Sequence, residues 1–170
     1  MAYTSYPFGA AVAHHSQNVE GQLKVLADLV KQGLHSSILR HLAVSLVQSC
    51  PDRSDSCEVS TLFYFVQQNI RIIEGDARQS AEMTAQRLSG SGPDRAVLLA
   101  TLLSEIGFPA GFRAVDTRGV GFHHVYVLVG LPKRSPRSVI ALDTFVASAV
   151  PGWEPSGIKA KKDLYPLKLG

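Results

Sequence analysis

Apolar residues recur at helical spacing through the first part of the chain. Three segments show the i, i+3, i+4, i+7 spacing that places apolar side chains on one face of an α-helix. They run from Val19 to Lys31, from Ser36 or Ser37 up to Pro51, and from the polar residues 54–56 to Ile70. The predicted buried faces carry Leu23, Leu26, Ala27 and Val30, then Ile38, Leu39, Leu42, Ala43, Leu46 and Val47, then Val59, Leu62, Phe63, Val66 and Ile70.

The next stretch is less regular. Residues 71–74 either extend the third helix or form a short strand, and the Gly-Asp pair at 75–76 indicates a turn. Met83, Ala85 and Leu88 are spaced for a short helix. We therefore expect a fourth helix that ends just before a loop rich in glycine and serine.

That loop, residues 89–95, carries the start signals of a buried helix. Ser91 and Asp94 fit a capping box, in which the serine hydroxyl accepts from the N–H three residues on and the acid accepts from the serine N–H. Pro93 suits a first turn because it has no N–H to satisfy. The predicted helix places Val97, Leu98, Leu102 and Ile106 on one apolar stripe, and Gly107 stands where the helix should stop.

After this helix the apolar period changes from helix to strand. We predict strands over residues 111–115, 122–129 and 139–142, with a turn at 117–121 and a hairpin loop at 132–138. In the middle strand the alternation separates Phe122, His124, Tyr126 and Leu128 from His123, Val125, Val127 and Val129.

Helices followed by strands predict an α+β fold, in which a helical N-terminal half packs on a small antiparallel sheet. We divide the chain into an N-terminal arm (1–18), one domain (19–150) and an irregular C-terminal tail (151–170). The arm carries Tyr3, Tyr6 and Phe8, which suggest docking onto another surface, such as a neighbouring subunit.

Composition narrows the class of protein. The 170 residues are 45% hydrophobic and 18% charged, with a net charge of +3, which favours a globular chain over a disordered one. We find neither a membrane span nor a signal peptide, and expect a soluble protein made in a cytoplasm. The basic excess lies late in the chain, but no aromatic-rich motif accompanies it, so we do not expect nucleic-acid binding. Its residues are Lys133, Arg134, Arg137, Lys159, Lys161, Lys162 and Lys168.

Neither cysteines nor histidines form a convincing metal site. Cys50 and Cys57 are separated by a short turn, so a disulfide is geometrically open, but we favour two buried reduced thiols in a reducing compartment. They have no further ligands at zinc spacing. His14 and His15 would diverge on a helix or strand, so we interpret them as exposed polar residues. We expect no metal and no cofactor.

One group of residues, at the sheet and at the start of the last predicted helix, points to nucleophilic catalysis. An antiparallel pairing across the 132–138 loop would bring His124 close to Asp143, which follows the next strand. An aspartate that holds one imidazole nitrogen leaves the other nitrogen to act as a base. A helix N-terminus beside them would suit a cysteine nucleophile, because it stabilises a thiolate. The predicted helix has Gly92 at that place.

Several short segments of the sequence together carry a family resemblance. They are Gly90-Ser91-Gly92-Pro93-Asp94-Arg95-Ala96-Val97-Leu98-Leu99-Ala100, then Leu103 with Ile106-Gly107-Phe108-Pro109-Ala110, then His124-Val125-Tyr126-Val127 and Leu142-Asp143. In this order they resemble the transglutaminase-like (papain-like cysteine protease) superfamily, over Leu62 to Thr144, about half of the chain. The helical segment that ends in Phe65-Val66-Gln67-Gln68-Asn69-Ile70 is similar to one that precedes the cysteine loop in bacteriophage-encoded members, which also carry a helical N-terminal lead.

The resemblance implies a triad with one member missing. The family loop usually reads Gly-Asp-Cys-Asp-Asp, so Gly92 stands in place of the cysteine and Ser91 in place of the first aspartate. The family histidine and aspartate correspond to His124 and Asp143. Since loss of a triad member costs about 10⁴-fold or more in rate, we expect a pseudoenzyme rather than an active enzyme.

Three functions follow as hypotheses. The first is a non-catalytic structural protein of a phage virion (capsid, connector or tail), assembled in the bacterial host cytoplasm and in contact with other virion proteins or with copies of itself. The second is an active amide or peptide hydrolase or acyltransferase that uses Ser91, or water, with His124 and Asp143. The third is a binding module that holds a partner's peptide in the vestigial cleft.

Overall fold

The computed structural model of the chain describes residues 18–75 and 78–169. It confirms the α+β class: within these residues, five helices precede a four-stranded antiparallel sheet. In chain order the elements are α1 (Val19–Gly33), α2 (Ser37–Val47), α3 (Asp55–Asn69), β1 (Arg71–Ile72), α4 (Ala81–Arg87), β2 (Ser89–Gly90), α5 (Gly92–Glu105), β3 (Ala110–Asp116), β4 (His124–Leu131), β5 (Ser138–Leu142) and β6 (Ala160–Leu164).

Helix α5 lies at the centre of the molecule. Every residue from Pro93 to Leu103 is buried, and the helix contacts α1, α2, α3 and α4 as well as β3 and β4. The helix is buried on all its faces, not only along the predicted apolar stripe, because helices cover one side of it and the sheet covers the other. The start of α5, which bears the candidate site, is therefore fixed by packing on several sides.

The sheet has the order β5-β4-β3-β6, with every neighbouring pair antiparallel. Its inner face places Val125, Val127 and Val129 in the core shared with the helices. Its outer face forms a smaller cluster that contains Tyr126 and Leu128. The predicted alternation is confirmed for residues 125–129, but the strand begins and ends two residues later than predicted. Phe122, predicted on the face of Tyr126, lies before the strand and packs against the core shared with the helices.

The predicted helix boundaries agree closely with the structure. Ser36 caps α2 through a hydrogen bond from Leu39 N–H to its hydroxyl, and Gly107, with φ +95°, follows α5. Residues 71–72 form a short strand rather than extending α3, and they pair in parallel with β2. Ile38, predicted as buried, is half-exposed on α2.

The prediction of an irregular tail over residues 151–170 is wrong. Residues 160–164 form β6, which pairs with β3. Arg113 on β3 binds Asp163 through two hydrogen bonds and also binds Glu154, so the segment is held by charge as well as by the strand ladder. The tail looked irregular because an edge strand with adjacent lysines lacks the alternation of a buried strand.

The preference for reduced thiols is also wrong, since Cys50 and Cys57 form a disulfide. The end of α2 and the start of α3 bring the two Cα atoms to 5.8 Å, which is within the range that a disulfide requires. Both cysteines are partly buried, and the hydroxyl of Thr61 lies beside both sulfurs.

The predicted N-terminal arm, with His14, His15 and its three aromatic residues, lies outside the described residues except for Asn18.

Candidate functional site

The start of α5 is organised by the predicted capping box. The N–H of Asp94 donates to the Ser91 hydroxyl at 3.2 Å, and the N–H of Ser91 donates to the Asp94 carboxylate at 3.0 Å. The other carboxylate oxygen of Asp94 accepts from the N–H of Gln79, which ties the preceding loop to the helix. Gly92 is the first residue of the helix and Pro93 follows it in the first turn.

On the sheet, the expected approach of His124 and Asp143 is confirmed. His124 begins β4 and Asp143 directly follows β5. Because Val127 pairs with Leu142, the next residue after β5 falls beside the start of β4, and His124 Nε2 lies 2.7 Å from Asp143 Oδ2. Both side chains are buried.

Asp143 also fixes the backbone that follows it. Its second oxygen accepts a hydrogen bond from the N–H of Phe145 at 3.0 Å. When the His124 ring is neutral, an Nε2–H that donates to Asp143 places the basic lone pair on Nδ1. The pair therefore has the arrangement by which an aspartate sets the tautomer of a catalytic histidine.

The ring of Phe145 connects the two sides of the site. A Cβ atom built on Gly92 would lie 3.4 Å from Cδ2 of Phe145, at ordinary van der Waals distance. The same ring packs edge-on against His124, with 5.6 Å between the ring centroids. Gly92 and His124 thus share one aromatic neighbour, and a small side chain at Gly92 would fit without backbone strain.

Arg95 lies beneath this site and is 2% exposed. Its guanidinium donates to the carbonyls of Val66, Gln67 and Thr144 at 2.8–3.0 Å. Burial lowers the pKa of Arg95 to about 10, while the charge of Asp143 acts in the opposite direction. The arginine therefore joins the end of α3 to the loop that carries Asp143 and Phe145.

The sequence patterns did not indicate the roles of Arg95 and Phe145 in this site. A charged residue inside the apolar sequence of α5 was a signal for a buried polar contact, because lone buried charges need partners. No comparable signal marked Phe145, whose position depends on how residues 143–145 turn away from the sheet.

The predicted alternative nucleophile, Ser91, faces its own helix. Its hydroxyl oxygen accepts the hydrogen bond from the N–H of Asp94, as the capping pattern predicted. Ser91 is 2% exposed. A serine in this position serves the helix start, and its hydroxyl would have to leave the cap to attack a substrate.

His123 is not part of the pair despite being its neighbour in sequence. Its Nε2 accepts from the N–H of Thr117 at 3.1 Å and lies 2.8 Å from the Thr117 hydroxyl. Burial, the charge of Arg118 and then His124 lower the pKa of His123, with Asp116 opposing them. His123 holds the turn between β3 and β4.

Within residues 18–75 and 78–169, no group of three or more His, Cys, Asp or Glu side chains is placed to hold a metal ion. Over the same residues, no helix combines the length and the apolar character needed to cross a bilayer.

No protein-family model matches the chain, and no curated protein does so. Two solved structures resemble it. One is described as a "putative protease" from Parabacteroides distasonis: it is 17% identical, with a TM-score of 0.51, over 69% of this chain and 29% of that one. The other is described as a "putative cysteine protease" from Cytophaga hutchinsonii: it is 19% identical, with a TM-score of 0.51, over 77% of this chain and 46% of that one.

At these identities the likeness concerns the fold alone, and the matched region spans less than half of either solved chain. The chain therefore has an α+β fold similar to that of proteins described as proteases. The likeness does not extend to what this chain does.

Proposed function

We propose that this chain is a non-catalytic member of the transglutaminase-like superfamily, in which Gly92 takes the place of the nucleophilic cysteine. One observation carries the proposal. The His124–Asp143 pair is built and buried, yet the helix start that faces Phe145 presents a glycine with no side chain to be activated.

Its role would be structural, through contacts with other proteins. We propose a bacteriophage virion component, in the capsid, connector or tail, that is assembled in the host cytoplasm with other virion proteins or with copies of itself. Support for the phage origin is the resemblance of the helical lead to bacteriophage-encoded members. Support for the structural role is the absence of a nucleophile from residues 91–95 other than a capping serine.

Turnover measurements test the non-catalytic part. The purified chain is incubated with unstructured peptides and with peptidoglycan fragments, and new amine groups are counted. We expect no release above buffer, because the route through a covalent acyl-enzyme needs an attacking side chain and Gly92 has none. Robust turnover that His124→Ala abolishes would overturn the proposal.

Particle analysis tests the virion part. Particles are purified from a strain that encodes the chain, and their proteins are quantified by mass spectrometry. The proposal expects the chain at a fixed ratio to the major capsid or tail protein in every preparation. Its loss on further washing, or its presence only in the cell lysate, would contradict a virion role.

The hydrolase alternative is kept because one observation favours it: the aspartate orients His124 as it would orient a base. Since the Ser91 hydroxyl caps α5, this alternative relies mainly on a water molecule activated by His124. The turnover experiment separates the two functions directly.

A further inference from the structure

A groove of about 370 Å³ opens beside the site, between the end of α3, strand β1 and the loop after β5. The side chains that define it are Gln68, Asn69, Arg71, Ile72, Arg95 and Phe145. Phe145 lines the groove and also packs against His124, whereas neither His124 nor Asp143 lines the groove.

One border of the groove is an open strand edge. The N–H of Arg71 donates to Leu88 and the N–H of Ile73 donates to Gly90, so residues 71 and 73 face β2. In a parallel ladder the residue between them directs its N–H and C=O to the other side. Ile72 therefore offers one donor and one acceptor to an added strand, and it is 38% exposed.

The charged side chains that line the groove are all positive. Among its described lining residues, Arg71 and Arg95 are cationic and none carries a carboxylate. Arg71 is exposed and can reach an occupant. The head group of Arg95 is occupied by three carbonyls, which do not neutralise its charge, so it adds positive potential at the floor while Asp143 offsets part of it.

We infer that this groove binds an extended, acidic segment of a partner protein, which pairs with the open edge of Ile72 and places a carboxylate against Arg71. Strand addition to an open edge supplies affinity through main-chain hydrogen bonds, and side-chain pockets supply selectivity. The inference names the kind of partner contact that the proposed structural role requires, and in this sense it rests on that proposal.

The test uses a defined peptide. A fluorescein-labelled, acetylated hexapeptide of alternating valine and aspartate is titrated with the whole chain, and anisotropy is measured. A matched peptide with lysine in place of aspartate is the control. We expect saturable binding of the acidic peptide that is about tenfold or more tighter than binding of the basic one. Equal binding of both peptides, or none, would overturn the inference.

Variants locate the contact. Arg71→Glu should weaken binding of the acidic peptide about tenfold, whereas Arg137→Glu, the same charge change on the exposed hairpin loop, should leave it nearly unchanged. An equal loss in both would indicate attraction by net charge alone and would contradict a groove.

The strand pairing has its own test. Ile72→Pro removes the outward N–H, which an edge strand tolerates, and Ile72→Val keeps it. We expect only the proline variant to lose affinity, with unfolding curves reported for both. Equal affinity of the two variants would contradict pairing at Ile72.

The same peptides separate this inference from the proposed function. Binding without cleavage supports both. Cleavage of a bound peptide would overturn the non-catalytic proposal and leave the groove standing. Absence of both binding and cleavage would overturn the groove and leave the non-catalytic proposal standing.

Discussion

The ring of Phe145 packs against His124 and lies where a Cβ on Gly92 would meet it, but the polar groups of the helix start and of the β4–β5 pair differ in their main partners. On the helix side, Asp94 and Arg95 bind main-chain atoms of several distant segments. On the strand side, the side chains of His124 and Asp143 bind each other, and the second oxygen of Asp143 accepts from the N–H of Phe145, two residues along the chain.

The difference separates architecture from chemistry. Asp94 and Arg95 join segments of the main chain to one another, so the fold needs them whether or not the protein catalyses a reaction. The fold gives no comparable reason for a buried histidine that is oriented by an aspartate. We therefore expect the helix side to dominate stability and the strand side to dominate reactivity.

The largest expected effect is at Arg95. Arg95→Ala removes the guanidinium donor shared by the carbonyls of Val66, Gln67 and Thr144 and opens a cavity, so we expect a loss of about 4 kcal/mol in the free energy of unfolding. Urea denaturation followed by circular dichroism measures it. Arg95→Met, which keeps the stem, should lose less. A loss below that of His124→Ala would reverse the ranking of the two sides.

Asp94 should come second. Asp94→Ala removes the acceptor of two main-chain N–H groups, those of Gln79 and Ser91, and we expect a loss of about 2 kcal/mol. Asp94→Asn keeps one carbonyl oxygen and should lose roughly half as much. If the alanine variant unfolds like the unaltered chain, the helix start is not held by this box.

His124→Ala should cost less stability, about 1 kcal/mol, because Asp143 loses the hydrogen bond from His124 but keeps the one from the N–H of Phe145. The same denaturation experiment measures it alongside the two helix-side variants. A loss as large as that of Arg95→Ala would show that the pair is itself architectural.

These rankings depend on contacts that sequence reveals unequally. The capping box was predictable because Ser91 and Asp94 are three residues apart. The closeness of His124 and Asp143 was predictable because a short loop joins two strands that pair in antiparallel fashion. Both features are local, or involve one hairpin.

The missed features depend on long-range contacts. Arg95 meets carbonyls 28, 29 and 49 residues away, and no pattern in the sequence identifies those partners. Strand β6 is held by its pairing with the edge of β3 and by the bond from Arg113 to Asp163, and its own residues do not alternate between apolar and polar. The disulfide follows from how α2 and α3 meet, whereas our expectation rested on the cellular compartment.

The smallest expected effect concerns His123 and distinguishes it from its neighbour. Its pKa lies below the ordinary value of 6.5, so the unfolded chain takes up the proton first. Stability contributed by the neutral ring is therefore present above pH 6.5 and is lost as the pH falls from there towards the lower folded pKa.

His123→Gln should remove this part of the acid sensitivity while keeping an acceptor for Thr117. Unfolding free energies at pH 7 and pH 5 measure it, with His124→Ala as the comparison. If His123→Gln is as sensitive to acid as the unaltered chain, the ring of His123 does not carry the effect.

The central claim is that the site retains the surroundings of a reactive sulfur at Gly92. Gly92→Cys places a thiol there, and the native cysteines do not compete because they are bonded to each other. Ser156→Cys, on an exposed loop, is the matched control. The rate of iodoacetamide alkylation is measured against pH for both variants and for Gly92→Cys/His124→Ala.

We predict that alkylation of Gly92→Cys has its midpoint about one pH unit or more below the ~8.5 of a free thiol, and that adding His124→Ala moves the midpoint back towards that of Ser156→Cys. A midpoint for Gly92→Cys equal to or above that of Ser156→Cys would contradict the claim, because neither the start of α5 nor the His124–Asp143 pair would then act on that position.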